Sequence, residues 1–123
     1  MDQTDRKVLI IDPDIEDRKE LADYLSREQY EVITGDGLTD AVKKLAQNRF
    51  PCIIVDVDLP EMKGYDAVSI LKNIEPKTKV IVTTKKNSKN LEAKVREQDI
   101  FFYFIKSFGK EELKLAINNV FSK

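Results

Sequence analysis

The sequence predicts an α/β domain in which a parallel sheet is covered by helices on both faces. Two observations carry this: five short apolar runs of β-branched and aromatic residues, and segments of helical spacing that separate them, so that strand and helix alternate five times in 123 residues. Right-handed crossovers then leave few topologies.

The elements follow in order. KVLII (7–11) is the first strand, and Leu21, Ala22 and Leu25 mark the inner face of the first helix. YEVIT (30–34) precedes a helix marked by Ala41, Val42, Leu45 and Ala46, and CIIVD (52–56) precedes one marked by Ala67, Ile70, Leu71 and Ile74. KVIVTT (79–84) leads into SKNLEAKVRE (88–97), where only Leu91, Val95 and a small Ala93 can face a core, so this helix is expected to be the least firmly packed. IFFYFI (100–105) is the last strand, and its Phe101, Phe102, Tyr103, Phe104 cluster reads as the alternating core of an edge strand. The final helix is the clearest: Leu113, Ala116, Ile117, Val120 and Phe121 follow the i, i+3, i+4, i+7, i+8 rule. Three of the five runs lack polar alternation, as strands covered on both faces should.

Composition bounds the function. The length fits one domain, residues 1–123, with no linker or repeat in view. Cys52 is the single cysteine and lies inside an apolar run, so it reads as a small core residue in a reducing compartment. The chain has no histidine, which removes His-based catalysis and most zinc sites. No apolar run approaches a membrane span, and the polar start MDQTDRK does not resemble a signal peptide, so a cytoplasmic location is expected. A net charge of −1 supplies no electrostatic drive toward nucleic acid.

In a doubly wound sheet the functional crevice lies beyond the carboxyl ends of the strands. The residues there are Asp12, Asp56, Thr84 and Lys106: two acids, one hydroxyl and one amine. Either acid alone reads as a turn or cap residue, and Asp14 fits the N-cap of the first helix, with Asp17 at N3 adding favourable charge. The conjunction points further. A carboxylate nucleophile, a second acid for a divalent cation, a hydroxyl and an ammonium are the parts needed to move a phosphoryl group onto Asp56.

These residues resemble the receiver domain of bacterial two-component response regulators, and the resemblance covers nearly the whole chain. VLIID matches the first strand and the first member of the acidic pair, Asp12. VDVDLPEMKG, with Pro60, Met62 and Gly64, matches the phosphoacceptor loop and places the acceptor at Asp56. KVIVTT matches the strand that carries the switch hydroxyl, and its separation of 22 residues from Lys106 selects Thr84 over Thr83. In FYFIKSF, Lys106 matches the family lysine and Tyr103 the aromatic switch residue. The resemblance implies the flavodoxin-like strand order 2-1-3-4-5 with five helices, and a Mg²⁺ held by Asp12, Asp56 and the backbone carbonyl of Asp58. It also implies a histidine kinase or phosphotransfer protein as donor. A downstream protein or output domain would be met through the face of the fourth helix, fifth strand and fifth helix, which in the family is also a homodimer face. Such a domain catalyses its own phosphorylation and dephosphorylation and is not a multiple-turnover enzyme.

The chain departs from the pattern at three places. The family's second acid is Pro13, which offers neither a side-chain oxygen nor an N–H. The missing charge is worth on the order of 4 kcal/mol of gross attraction at about 4 Å and an effective dielectric of about 20, before desolvation, so Mg²⁺ affinity is expected to fall. Lys85 replaces the small residue after the switch hydroxyl, where it obstructs the donor or pairs with the phosphoryl group; with 35% of the chain charged, Lys85 and Lys86 also read simply as a solvated lysine pair. Ser107 replaces the proline after Lys106, so either the loop is rebuilt or a non-proline cis bond costing roughly 3 kcal/mol is held. Asp58 and Lys86, with Lys85, occupy positions that in the family tune loss of the phosphoryl group.

Other readings compete. Pro13, Lys85 and Ser107 together suit a degenerate receiver that binds partners independently of phosphorylation. VDVDL superficially resembles the D-x-D nucleophile motif of haloacid-dehalogenase-type phosphatases, with Asp56 attacking and Asp58 as acid, but Leu59 and Pro60 follow where that motif has Thr or Val. An EF-hand reading of DPDIED fails because Asp17 stands at the glycine position and Asp23 at the glutamate position.

Overall fold

The computed structural model describes residues 6–122. Most of the polar amino-terminal stretch read above, residues 1–5, lies outside the described residues. The elements are β1 (Lys7–Ile11), α1 (Ile15–Arg27), β2 (Glu31–Gly35), α2 (Leu38–Gln47), β3 (Cys52–Asp56), α3 (Gly64–Ile74), β4 (Lys79–Thr84), α4 (Lys89–Arg96), β5 (Phe102–Ile105) and α5 (Glu111–Phe121). All four strand pairings are parallel and the order is β2-β1-β3-β4-β5, the doubly wound order implied by the resemblance. No helix among the described residues is long and apolar enough to cross a membrane.

Burial follows strand position. The central strands β1, β3 and β4 are almost continuously buried, whereas the edge strands β2 and β5 are only partly so, as helices on both faces require. Side chains alternate between two cores. Val8, Ile10, Cys52, Ile54, Ile81 and Phe104 face α1 and α5, while Leu9, Ile11, Ile53, Val55, Val80, Val82 and Tyr103 face α2 to α4.

Two strands are shorter than their apolar runs. Tyr30 is excluded from β2 because its N–H bonds Leu25 O at 3.1 Å, closing α1 through Gln29 in the left-handed region at φ 72°. Its ring is nevertheless buried, beneath the Arg6 guanidinium at 4.0 Å. Ile100 is excluded from β5 because its N–H turns back to Gln98 O at 3.0 Å, and Phe101 is exposed. Val42 and Ile74, read as inward positions of their helices, also lie toward solvent.

The fourth helix is as weakly anchored as expected. Ser88 caps it by accepting the Leu91 N–H at 3.1 Å, but Val95 is its one buried residue. A fully buried valine contributes roughly 1.5–3 kcal/mol, little to hold an eight-residue helix. The peptide bonds of the described residues are trans, the one joining Lys106 to Ser107 among them, so the loop after β5 is rebuilt: Phe108 N–H bonds Ile105 O at 3.0 Å.

Candidate functional site

The carboxyl ends of β1, β3, β4 and β5 converge as the topology requires. Asp12 follows β1 and is 4% exposed, and Asp56 ends β3 and is 6% exposed. Asp12 Oδ1 accepts the Asp14 N–H at 2.9 Å, an Asx-turn whose middle residue is Pro13. The proline's fixed φ suits that position, and its missing N–H is not needed there. Asp14 then caps α1, its Oδ1 accepting the N–H groups of Glu16 and Asp17 at 3.0 Å each. The proline is thus accounted for locally by the turn that delivers Asp12 and starts the helix.

Lys106 lies at the centre. Its ammonium donates hydrogen bonds to Asp12 Oδ2 at 2.7 Å and Asp17 Oδ2 at 3.0 Å, and forms an ion pair with Asp56 Oδ1 at 2.7 Å. Burial alone would lower its pKa, but its attraction to the Asp12, Asp56 and Asp17 carboxylates outweighs that and raises it. Asp12 is shifted upward, first by desolvation and also by the Asp56 charge, against the lowering contributions of Lys106 and the Asp14 N–H. Three carboxylates around one ammonium leave negative charge in excess.

Asp56 is oriented from two further sides. Its Oδ2 accepts the Asp58 N–H at 2.9 Å, and its Oδ1 accepts the Thr83 hydroxyl at 3.3 Å. The hydroxyl beside the acceptor is therefore that of Thr83. Thr84 is buried but turned away, donating to Lys86 O at 3.0 Å and accepting the Lys86 N–H at 3.3 Å. Strand alternation explains the division: Thr83 shares a face with Ile81 and pairs in register with Asp56, while Thr84 shares a face with Val82 and with the buried ring of Tyr103. Tyr103 Oη donates to Asn87 Oδ1 at 2.5 Å, and burial raises its pKa.

The remaining sequence candidates lie at the rim. Lys85 is exposed and bridges Asp14 Oδ2 at 3.3 Å and Asp17 Oδ2 at 3.4 Å. Lys86 is exposed. The Asp58 side chain points outward to Lys63 at 2.9 Å, which leaves its backbone as the part near Asp56. Gly64 belongs to the site through its backbone: its N–H bonds Val57 O at 2.7 Å, and a Cβ there would stand 2.0 Å from Asp56 O. Sequence reading assigned no site role to Thr83, Asp17 or Asn87. Alternation along KVIVTT is the signal that would have found Thr83; Asp17 was read only as a helix-dipole residue.

A cleft of about 90 Å³ opens on the α1–α5 side, lined by Asp12, Asp17, Glu20, Thr83, Lys106 and Lys110 among others. A larger groove of about 460 Å³ lies at the other end of the sheet, between Lys7, Arg49, Glu75 and Thr78. Among the described residues no three acidic side chains converge with metal-ligand geometry. The donors that do converge, Asp12 and Asp56, are hard oxygens, and Mg²⁺ commonly takes one or two carboxylates with phosphate oxygens and water. The donor set fits that ion.

The family model described as response regulator receiver domain matches residues 8–118. The chain belongs to this family. The receiver is 28% identical over 111 residues to the transcriptional regulatory protein SrrA of Staphylococcus aureus, a match covering 90% of this chain and 46% of SrrA. It therefore spans about half the length of the curated relatives it matches. Among solved structures, the beryllofluoride-activated NtrC4 receiver domain dimer has 28% identity and a TM-score of 0.86, covering 94% of this chain and 96% of that one. The response regulator TrrA of Thermotoga maritima in complex with Mg²⁺–BeF, at 24% identity and TM-score 0.81 over 93% and 97% of the two chains, shares the receiver's fold.

Proposed function

We propose that this receiver takes a phosphoryl group on Asp56 and signals by changing the surface built from α4, β5 and α5. The observation that carries the reading is the setting of Asp56: a buried carboxylate oriented by the Asp58 N–H and the Thr83 hydroxyl, with the Lys106 ammonium 2.7 Å away. An Asp56 oxygen attacks phosphorus of a phosphohistidine or acyl phosphate, the bond from phosphorus to the donor's nitrogen or oxygen breaks, and the leaving group keeps its electron pair. Lys106 offsets charge on the transferring oxygens, and Asp12 keeps Lys106 in place. Asp12, Asp56 and the Asp58 carbonyl would hold a Mg²⁺, which would supply further neutralisation, and the carboxylate absent at Pro13 would lower its affinity.

The donor is a histidine kinase or phosphotransfer protein, and the chain acts as a phosphoacceptor that turns over its own phosphoryl group. The dimeric NtrC4 receiver supports pairing of copies. A cytoplasmic setting suits a domain served by a kinase.

Intact-mass spectrometry after incubation with a small acyl phosphate, with and without Mg²⁺, tests the reading alongside Asp56→Ala and Pro13→Asp. A Mg²⁺-dependent gain of one phosphoryl group that Asp56→Ala abolishes is expected. Pro13 is exposed, so Pro13→Asp meets no steric barrier and should lower the Mg²⁺ needed by about tenfold. Modification of Pro13→Asp alone would leave the natural chain as a phosphorylation-independent binding module.

A further inference from the structure

Lys106 and Lys85 are held in opposite ways. Lys106 is 17% exposed and has three carboxylate partners at 2.7, 2.7 and 3.0 Å. Lys85 is 61% exposed, and its contacts with Asp14 and Asp17, at 3.3 and 3.4 Å, are longer than the usual charge-assisted bond of about 2.7–2.9 Å. One ammonium is buried among close partners and the other lies at the surface on longer contacts. They meet on Asp17 Oδ2, which is 3.0 Å from Lys106 and 3.4 Å from Lys85. Lys85 also follows β4 directly, two residues beyond Thr83, the register partner of Asp56.

A phosphoryl group on Asp56 replaces one negative charge by up to two and adds three strong acceptor oxygens. Lys106 cannot answer this alone, because two of its three donors are already directed to Asp12 and Asp17, leaving one for the added acceptor oxygens. Asp14 does not depend on Lys85, since its Oδ1 holds the α1 N–H groups. Giving up Lys85 therefore leaves the helix cap intact.

We propose that Lys85 is a second phosphoryl-binding cation, held on Asp14 and Asp17 until Asp56 is modified and then drawn to the phosphoryl oxygens. This rests on Asp56 being the phosphoacceptor. Lys85 moves no proton in the step: the Asp56 oxygen–phosphorus bond forms, the acyl donor's phosphorus–oxygen bond breaks, and the carboxylate leaves with the electron pair. The lysine would offset charge in a site that lacks the carboxylate replaced by Pro13.

The two roles of the lysine carry opposite signs with respect to the metal. In the unmodified chain Lys85 competes with a divalent cation for a negative site, whereas in the modified chain it assists. The test uses the whole chain with acetyl phosphate, comparing wild type, Lys85→Ala and Lys85→Arg by intact mass across a Mg²⁺ series, with calorimetric Mg²⁺ titration in the absence of donor. For Lys85→Ala, the Mg²⁺ concentration at half-maximal phosphorylation should rise about tenfold, while Mg²⁺ binding without donor tightens about two- to fivefold; Lys85→Arg should stay within about twofold of wild type in both. An unchanged or lower Mg²⁺ requirement for phosphorylation of Lys85→Ala overturns the proposal and makes the lysine a solvated or obstructing residue. A wild-type chain unmodified at saturating donor and Mg²⁺ overturns the phosphoacceptor reading and this proposal together.

Discussion

Thr83 Oγ1 lies 3.3 Å from Asp56 Oδ1, while the hydroxyl of its neighbour Thr84 bonds Lys86 instead. Thr83→Val keeps the shape and removes the donor, and a hydrogen bond to a charged group is worth about 1.5–3 kcal/mol at good geometry, less at this length. Phosphorylation of Asp56 by a small acyl phosphate should slow about fivefold in Thr83→Val and stay near wild type in Thr83→Ser, read by intact mass over time. Equal rates in the valine and serine variants would show that the hydroxyl does not orient the acceptor.

Gly64 stands where a Cβ would fall 2.0 Å from Asp56 O and 2.8 Å from Asp56 C, both backbone atoms. Backbone cannot yield as a flexible side chain does, so Gly64→Ala must shift the segment that carries the acceptor. A loss on the order of 2–3 kcal/mol in urea unfolding is expected, together with slower phosphorylation. An alanine variant of unchanged midpoint and rate would contradict the close approach.

Burial raises the pKa of Asp12 above its ordinary value of 3.8, so the folded chain holds a proton there more tightly than the unfolded one. Such a group contributes stability below the unfolded pKa and loses it as pH rises through the folded pKa; at neutral pH its charge is a net cost. Asp12→Asn should therefore melt a few degrees higher than wild type at pH 7. The advantage should shrink as pH falls toward 3.8, measured by thermal denaturation in parallel buffers. A variant that melts lower at pH 7 would mean that the lost partner of Lys106 outweighs the relieved charge.

The weakly anchored α4 adjoins the segment in which Thr84 bonds Lys86 and Asn87 bonds Tyr103. Phosphorylation should change amide hydrogen exchange in 85–105 more than in 7–34, where β1 pairs with strands on both sides. Comparable changes in both segments would argue against a local switch.

Periodicity carries most of the fold. The runs 7–11, 52–56 and 79–84 coincide with β1, β3 and β4 because an uninterrupted apolar strand has one low-energy home, between two layers of helices. The ends of β2 and β5 were less legible, since Tyr30 and Ile100 are apolar yet give their N–H groups to preceding turns, a choice made by backbone geometry. The site divides similarly. Asp12, Asp56 and Lys106 were legible as strand-end residues, and all three meet within hydrogen-bonding reach. Asp17 was not, because its proximity to Lys106 depends on the α1 first turn lying beside the end of β5, a tertiary fact with no local signature.

The hydrogen bond from Tyr103 to Asn87 has a practical consequence. The chain has four tyrosines and no tryptophan, so its near-ultraviolet spectrum comes chiefly from phenol rings. Two of these rings, Tyr30 and Tyr103, are buried, and Tyr103 is joined to the loop that follows the acceptor's neighbouring strand. The molecule therefore carries a built-in optical indicator, and a change in the loop after β4 is readable as a change in tyrosine absorption and emission without attaching a dye.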